Sequence, residues 1–208
     1  MTTKLLALAL LGACAGLPHV DPLPRGEDTQ SAAAVTVEVR CGGSGGWDSA
    51  EWYPTRLASG VLVSERHVLT AAHVTTCPVI PAAWVLLADG SRLRMVVELE
   101  DLGEDVSRLV MASGSRLPAI APPALADLLP GTWLSGGSGS TCVESAYPAR
   151  VRACGDVWEW PFIDVPTTRG NSGAGAYDEG GRLVGLAVAS RAGLTRIAPV
   201  SAKWLVGT

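Results

Sequence analysis

Short segments in which apolar and polar residues alternate, separated by turn residues, make up much of the chain. Residues 35–40 read Val, Thr, Val, Glu, Val, Arg, which is the period-two pattern of a half-buried strand. Asp89-Gly90, between two such segments, is a strong hairpin signal. Besides residues 35–40, this pattern predicts strands in the first half of the chain at 59–64, 67–71, 84–88, 92–98 and 106–111.

The alternating pattern stops between residues 113 and 130, where Pro, Ala and Leu dominate, so we place the boundary of two halves there, at 35–118 and 119–208. Residues 201–206 are predicted to form a short C-terminal helix capped by Ser201. About six short strands in each half suit an all-β fold of two barrels. The strands predicted in the second half, each bounded by Gly, Pro or Asp, are 132–135, 142–151, 162–165, 173–177 and 183–189.

Composition narrows the class of protein further. The 208 residues are 48% hydrophobic and 17% charged, so the chain can bury a core and is unlike a disordered protein. Its 24 glycines and 14 prolines favour strands and turns over long helices. The net charge is only −4, and because no run of Lys or Arg forms a basic stripe, we expect no nucleic-acid partner.

The first 13 residues have the organisation of a signal peptide, with a basic start, an apolar run at 5–11 and small residues before Cys14. The apolar run is too short to span a bilayer. The segment Leu11-Gly12-Ala13-Cys14 resembles the lipobox of bacterial lipoproteins, which implies cleavage before Cys14 and lipidation of its thiol; an ordinary secretory signal is the alternative. Residues 14–34 lack periodicity and are predicted to be a tether or a propeptide. We therefore expect export to the bacterial cell envelope or secretion.

Four cysteines remain if Cys14 carries lipid, and an even number in an oxidising compartment predicts two disulfides. Three pairings are possible. One of them keeps each bridge within one half of the chain: Cys41 with Cys77, and Cys142 with Cys154. A zinc site is the alternative, which the absence of a C-x-x-C spacing disfavours.

Three motifs carry candidate chemistry. A serine hydroxyl becomes nucleophilic when an imidazole takes its proton and a carboxylate orients that imidazole. The chain contains Thr-Ala-Ala-His ending at His73, Asp-Val-Ser-Arg-Leu beginning at Asp105, and Gly-Asn-Ser-Gly around Ser172. In this order they resemble the T-A-A-H, D-I-A-L and G-D/N-S-G motifs of the chymotrypsin-like (trypsin-like) serine peptidases, over residues 58–205. The resemblance implies two six-stranded antiparallel Greek-key β-barrels with a short C-terminal helix.

The resemblance also implies roles. His73 would be general base and then acid, Asp105 its orienting carboxylate and Ser172 the nucleophile, with the backbone N–H groups of Gly170 and Ser172 as oxyanion hole. Asp101 is an alternative to Asp105, which we prefer because an alternating run follows it directly. The chain order His, Asp, Ser excludes an α/β-hydrolase. The mechanism requires no cofactor and no metal.

Departures from the family pattern carry information. Asn171 stands where animal trypsins have the aspartate that pairs with a newly cut amino terminus, so we expect that activation switch to be inoperative. The Gly-Asn-Ser-Gly motif is closer to bacterial glutamyl-endopeptidase-like and HtrA-like members. Proline at the implied base of the substrate pocket supplies no charge, so a neutral residue is expected before the scissile bond. The resemblance places this pocket at Pro166, Val188, Ala189 and Ser190.

The sequence thus predicts a secreted serine endopeptidase that forms an acyl-enzyme on Ser172 and acts on protein or peptide substrates. A catalytically silent binding module on the cell surface is the alternative from another class, and an esterase or acyltransferase on the same fold is a third. We expect a monomer that meets the membrane only through a lipid on Cys14. His19 and His67 lack a comparable motif and are predicted to be surface residues.

Overall fold

Two sets of six antiparallel strands each close into a barrel. The computed structural model describes residues 33–42, 55–77, 81–112, 114, 116–118, 124–125, 140–159 and 161–205. The predicted signal peptide, Cys14, most of the predicted tether and the predicted strand 132–135 therefore lie outside the described residues. In the described part of the chain, no helix is long and apolar enough to cross a membrane.

The N-terminal barrel is formed by the first six strands, in the order β1-β2-β3-β6-β5-β4, with β4 pairing back onto β1. A one-turn helix, α1 (Ala72–Thr75), follows β3. The strands are β1 (Ala34–Cys41), β2 (Arg56–Leu62), β3 (His67–Thr70), β4 (Pro81–Leu86), β5 (Arg92–Asp101) and β6 (Val106–Met111).

The C-terminal barrel repeats this arrangement with the next six strands, in the order β7-β8-β9-β12-β11-β10, and β10 pairs back onto β7. A 3₁₀ turn, η1 (Ala202–Trp204), follows the last strand. The strands are β7 (Ser140–Ser145), β8 (Val151–Glu159), β9 (Phe162–Ile163), β10 (Gly175–Tyr177), β11 (Leu183–Arg191) and β12 (Leu194–Pro199). The prediction of an all-β, chymotrypsin-like fold with two six-stranded barrels is confirmed.

Alternation along the strands fills the barrels. Val35, Val37 and Val39 of β1 point into the N-terminal barrel and are almost completely buried, as the period-two pattern predicts. The same apolar cluster continues into residues of the C-terminal half, including Tyr177 and the fully buried Trp204 of η1. Trp204 Nε1 donates to Glu104 at 3.1 Å, so the C-terminal segment packs against the turn that precedes β6. One apolar cluster therefore joins the two barrels, and a second cluster lies within the C-terminal barrel.

Some predicted elements of the second half are wrong. The predicted strand 142–151 is a hairpin of β7 and β8, with its turn around Pro148. The sequence reading also missed β12, which pairs with β11 through a turn in which Ala192 and Gly193 have φ angles of 52° and 85°. The predicted C-terminal helix is only the short η1, and Ser201 makes no side-chain cap hydrogen bond.

Both disulfides join residues within one half of the chain. Cys41–Cys77 links β1 to the segment after α1, and Cys142–Cys154 crosses directly between β7 and β8. These are the pairings that keep each bridge within one barrel. Two disulfides indicate that the chain folds in an oxidising compartment outside the cytoplasm.

Candidate active site

The first side chain of the site, His73, is presented by the one-turn helix α1. Strand β3 ends at Thr70, and Ala71 and Ala72 are fully buried, so the chain turns sharply and His73 projects outward from a fixed base. The His73 side chain is 47% exposed, whereas that of Asp105 is only 18% exposed. The imidazole is thus open to a ligand on one side and backed by a shielded carboxylate on the other.

Asp105 lies in the turn between β5 and β6, with a left-handed φ of 59° that Asp tolerates better than most residues. Both of its carboxylate oxygens lie 3.0 Å from His73 Nδ1. The backbone N–H of His73 donates to Oδ1 at 3.0 Å, and the backbone N–H of Ala72 donates to the Asp105 carbonyl at 3.2 Å. Two backbone contacts therefore fix the carboxylate relative to the imidazole.

These contacts affect the acidity of Asp105. Burial alone would raise the pKa of this carboxyl group, but hydrogen bonds from the His73 side chain and backbone, and the charge of Arg196, together hold the pKa below its ordinary value. The group is therefore a carboxylate at neutral pH. It can accept the Nδ1 proton of His73 and leave Nε2 with a free lone pair.

Ser172 lies in the loop between β9 and β10, and its Oγ is 3.0 Å from His73 Nε2. The backbone N–H of Ser59 in β2 donates to the Ser172 carbonyl at 2.9 Å, which ties this loop to the N-terminal barrel. Gly173 has a φ of +84°, and a Cβ there would lie 2.2 Å from the Ser59 carbonyl oxygen. The close approach of the two barrels at the serine thus requires glycine at this position.

Gly170 supports the other side of the loop. Its φ is +102°, and a Cβ would lie 2.5 Å from the ring of Tyr147. The carbonyl of Gly170 accepts from Ser59 Oγ at 3.2 Å, and the Asn171 carbonyl accepts from the Ala174 N–H at 2.9 Å. Among the described residues, no carbonyl or side chain accepts the N–H of Gly170 or of Ser172. Neither N–H group is therefore engaged by an acceptor in the described part of the chain.

The residues predicted to line the substrate pocket are on neighbouring segments. Thr195 in β12 is paired with Ser190 in β11 and donates through its hydroxyl to the carbonyl of Val165, just before Pro166. Pro166, Ala189 and Ser190 are exposed. Val188, in contrast, is buried in the apolar cluster shared by the barrels, so its side chain packs in the core.

Two other sequence-based interpretations have different outcomes. Asp101 accepts from the N–H groups of Gly103 and Glu104 at 2.9 and 3.0 Å, so its carboxylate caps a turn, whereas the contacts of His73 are with Asp105. The prediction that His67 is a surface residue is wrong. His67 is 6% exposed, and its Nδ1 lies 2.9 Å from Ser64 Oγ.

Sequence reasoning missed several residues that hold the site. Arg56 donates through one guanidinium nitrogen to the carbonyls of His73 and Thr76, at 3.0 and 2.8 Å, and so caps the end of α1. Ser59 and Ser145 are buried hydroxyls between the nucleophile loop and the strands. The available signal for Ser59 was a polar residue among the otherwise apolar residues 57–63; nothing in the sequence marked Arg56.

Comparison with known proteins assigns the chain to a family. No curated protein matches the chain. The Trypsin-like peptidase domain family, however, matches residues 58–186, well over half of the chain. The matched range contains His73, Asp105 and Ser172, and it runs through parts of both barrels. The chain therefore belongs to the trypsin-like peptidase domain family.

Proposed function

We propose that this protein is an exported serine endopeptidase with His73, Asp105 and Ser172 as its catalytic triad. One observation carries the proposal: Ser172 Oγ, the His73 ring and the Asp105 carboxylate form a continuous relay with 3.0 Å between successive partners. The relay joins residues from both barrels, 99 and 32 positions apart in sequence. Membership of a peptidase family supports a protein substrate.

The relay activates the serine as follows. With its proton on Nδ1 held by Asp105, His73 presents the Nε2 lone pair to the Ser172 hydroxyl. As Oγ attacks the carbonyl carbon of a peptide bond, its proton moves to Nε2, and the carbonyl π electrons move onto oxygen. Asp105 stabilises the imidazolium that results, because its carboxylate already accepts the Nδ1–H.

The tetrahedral intermediate then collapses. The C–N bond breaks, Nε2 returns its proton to the departing amine, and an ester between the substrate acyl group and Ser172 remains. A water molecule then attacks the ester carbonyl carbon and gives a proton to Nε2. The second tetrahedral intermediate collapses with cleavage of the C–Oγ bond, and Nε2 returns the proton to Oγ, which releases the acid and regenerates the Ser172 hydroxyl. The exposure of the His73 ring supports this second half, because a water molecule can reach Nε2 once the amine has left.

The N–H groups of Gly170 and Ser172 are the proposed oxyanion hole. The lack of a protein acceptor for either N–H group among the described residues supports this role. Each such donor is worth on the order of a hundredfold or more in rate, because it is aimed where negative charge develops.

The absence of a charged side chain at Pro166, Ala189 and Ser190 supports a neutral residue before the scissile bond. Profiling cleavage of a peptide library tests that preference, and a dominance of Lys, Arg or Glu would overturn it.

Export with a lipid anchor on Cys14 completes the proposal. The signal-peptide pattern of residues 1–13 and the two disulfides support it. Mass spectrometry of the protein purified from membranes tests the anchor. A diacylated amino-terminal cysteine supports it, and a chain that keeps an unmodified Cys14 overturns it.

The activity is tested by treating the full-length chain with an alkyl fluorophosphonate and reading the intact mass. One covalent adduct on the wild type and none on Ser172→Ala is the expected result. Ser107→Ala is a matched control, because Ser107 is a buried serine of β6 whose hydroxyl makes no hydrogen bond in the described part of the chain. It should be labelled like the wild type. A folded wild-type chain that stays unlabelled would point to the silent binding module.

A further inference from the structure

The side chain of Asn171, directly before the proposed nucleophile, uses its entire hydrogen-bonding capacity. Its Nδ2 donates to Ser145 Oγ at 2.6 Å and to the Tyr147 carbonyl at 3.1 Å. Its Oδ1 accepts from the backbone N–H and the hydroxyl of Thr168, at 2.6 and 3.1 Å. The amide thus bridges the start of the nucleophile loop to the turn after β7. Only a side chain with two donors and two acceptor sites can make all four bonds.

The partners of Asn171 are themselves fixed. Ser145 is 3% exposed, donates to the Tyr147 carbonyl at 2.8 Å, and lies 3.2 Å from the hydroxyl of Ser59, which is fully buried. Ser59 Oγ also accepts from the backbone N–H groups of Ala146 and Tyr147, both at 3.2 Å. Strand β2 of the N-terminal barrel therefore holds the turn on which Asn171 is anchored.

The same network sets the orientation of the peptide groups in the loop. Ser59 donates through Oγ to the Gly170 carbonyl and through its backbone N–H to the Ser172 carbonyl. The N–H of Asn171 donates to the Thr168 carbonyl at 3.0 Å. The Ser172 N–H shares its peptide group with the Asn171 carbonyl, which the Ala174 N–H binds at 2.9 Å. The Gly170 N–H lies within the turn that the bonds between Asn171 and Thr168 close. The N–H groups of Gly170 and Ser172 are left without acceptors among the described residues.

A loop around a glycine with a φ of +102° needs such support, because glycine also reaches other backbone conformations at little cost. A flipped peptide would present a carbonyl to the oxyanion and remove a donor. We propose that Asn171, together with Ser145, is the positioning element that holds the oxyanion donors in place before substrate arrives. This inference rests on the proposed serine-peptidase function and adds to it a neutral, purely internal brace.

The inference assigns Asn171 a role that aspartate cannot fill. A carboxylate at this position keeps the two acceptor contacts to Thr168 but loses both donors, and it faces the Tyr147 carbonyl without a proton between them. Asn171→Asp is therefore nearly isosteric and should fold, but its carboxylate can bind Ser145 only if the Ser145 hydroxyl gives up its bond to the Tyr147 carbonyl, so the brace is weakened. Asn171→Ala removes all four bonds.

The experiment measures inactivation of the full-length chain by an alkyl fluorophosphonate over a range of concentrations, which separates KI from the limiting rate kinact. For Asn171→Asp and Asn171→Ala we expect kinact to fall by about a hundredfold while KI stays within about twofold, because donor position affects the transition state. Ser145→Ala should lower kinact about tenfold. Adding Ser145→Ala to Asn171→Ala should cost little more, since both substitutions break one network.

Thr141→Val is the matched control. Thr141 is a fully buried residue of β7, like Ser145, but its hydroxyl makes no hydrogen bond within the described residues. Its kinact should equal that of the wild type. Thermal unfolding shows which variants are folded, and if Asn171→Ala is not, Asn171→Asp decides.

Several outcomes would overturn the inference. A kinact for Asn171→Asp within twofold of the wild type shows that no brace is needed. A raised KI with unchanged kinact shows a role in binding. Effects of Asn171→Ala and Ser145→Ala that multiply show two independent sites. A wild-type chain that the probe does not label is a separate result: it removes the proposed function itself.

Discussion

The two barrels have the same strand order but hold their shares of the site by different means. The N-terminal barrel supplies His73 and Asp105, and backbone groups fix them: the N–H groups of Ala72 and His73 bind Asp105 directly. The C-terminal barrel supplies Ser172 on a loop that backbone bonds fix only in part, so hydroxyl and amide side chains, chiefly those of Asn171 and Ser59, must also hold it. A backbone-fixed half tolerates substitutions around it, whereas a half fixed by side chains depends on each of them.

The shared strand order shows why the halves differ. Asp105 is the last residue of the short turn between β5 and β6, which pair with each other, so its position is set by pairing of neighbouring strands. Ser172 lies between β9 and β10, which are not adjacent in their barrel. Gly173 and Ala174 pair with Ala187 of β11, but the rest of the loop that carries Ser172 must find its hydrogen bonds outside the strand ladder. It finds them on Ser145 and on Ser59 of the other barrel.

The largest effect is expected for Asp105→Asn. The amide of asparagine has one acceptor oxygen and one NH₂ donor, so with the NH₂ group towards Nδ1 it favours the wrong tautomer of His73. The rate of probe labelling should therefore fall by on the order of 10⁴. The free energy of unfolding should change only slightly, because the backbone contacts of the turn remain. Asp101→Asn, which alters a carboxylate that caps the neighbouring turn, should label within about twofold of the wild type. Equal losses in both variants would contradict the assignment of Asp105.

The two disulfides, one in each barrel, differ in the length of the loop that they close. Cys41–Cys77 spans 36 residues and Cys142–Cys154 spans 12. Constraint of the unfolded chain predicts losses of about 4 kcal/mol for Cys41→Ser/Cys77→Ser and about 3 kcal/mol for Cys142→Ser/Cys154→Ser. Urea unfolding followed by tryptophan fluorescence measures both. A larger loss in the C-terminal barrel would show that native packing around the bridge, rather than loop length, sets its contribution.

Arg56→Ala should have a smaller effect. It removes the guanidinium from the carbonyls of His73 and Thr76 and should lower the free energy of unfolding by about 1 kcal/mol, because Arg56 is exposed and its bonds are partly screened. Labelling should slow less than in Asn171→Asp, since backbone bonds still hold α1. Arg116→Ala is the control: it removes an exposed arginine paired with Glu65, away from the site. If Arg56→Ala slows labelling as strongly as Asn171→Asp, the contrast between the barrels fails.

The sequence predicted those features that are determined by a local pattern of residues. The alternation in β1, the Asp89-Gly90 turn before β5 and the three motifs of the site all involve residues within a few positions of each other. It failed where distant residues decide. The turn after β7 depends on Ser59, 87 residues away from its partner Ala146, and the turn before β12 uses Ala192 in a left-handed conformation that carries no turn signal. The hydrogen bonds from Asn171 to the turn after β7 could not be predicted for the same reason, because the bonded residues are distant in sequence.

The smallest expected effect concerns the pH dependence of stability and His67. All three histidines, at positions 19, 67 and 73, precede the C-terminal barrel. Burial lowers the pKa of His67, the charges of Arg108 and Arg66 lower it further, and Glu98 opposes them. The unfolded chain therefore binds this proton more readily, so the free energy of unfolding should fall as pH drops below about 6.5. The carboxylate of Asp105, with its low pKa, loses its contribution only at more acidic pH.

His67→Gln should remove this part of the pH dependence. Urea unfolding at about pH 7 and about pH 5 measures it: the wild type should lose more stability than the variant between the two values. Because the C-terminal barrel contains no histidine, the difference reports on the N-terminal barrel alone. An equal loss in both proteins would mean that the His67 ring can be protonated without cost, and that the N-terminal barrel is less tightly closed around β3 than its burial indicates.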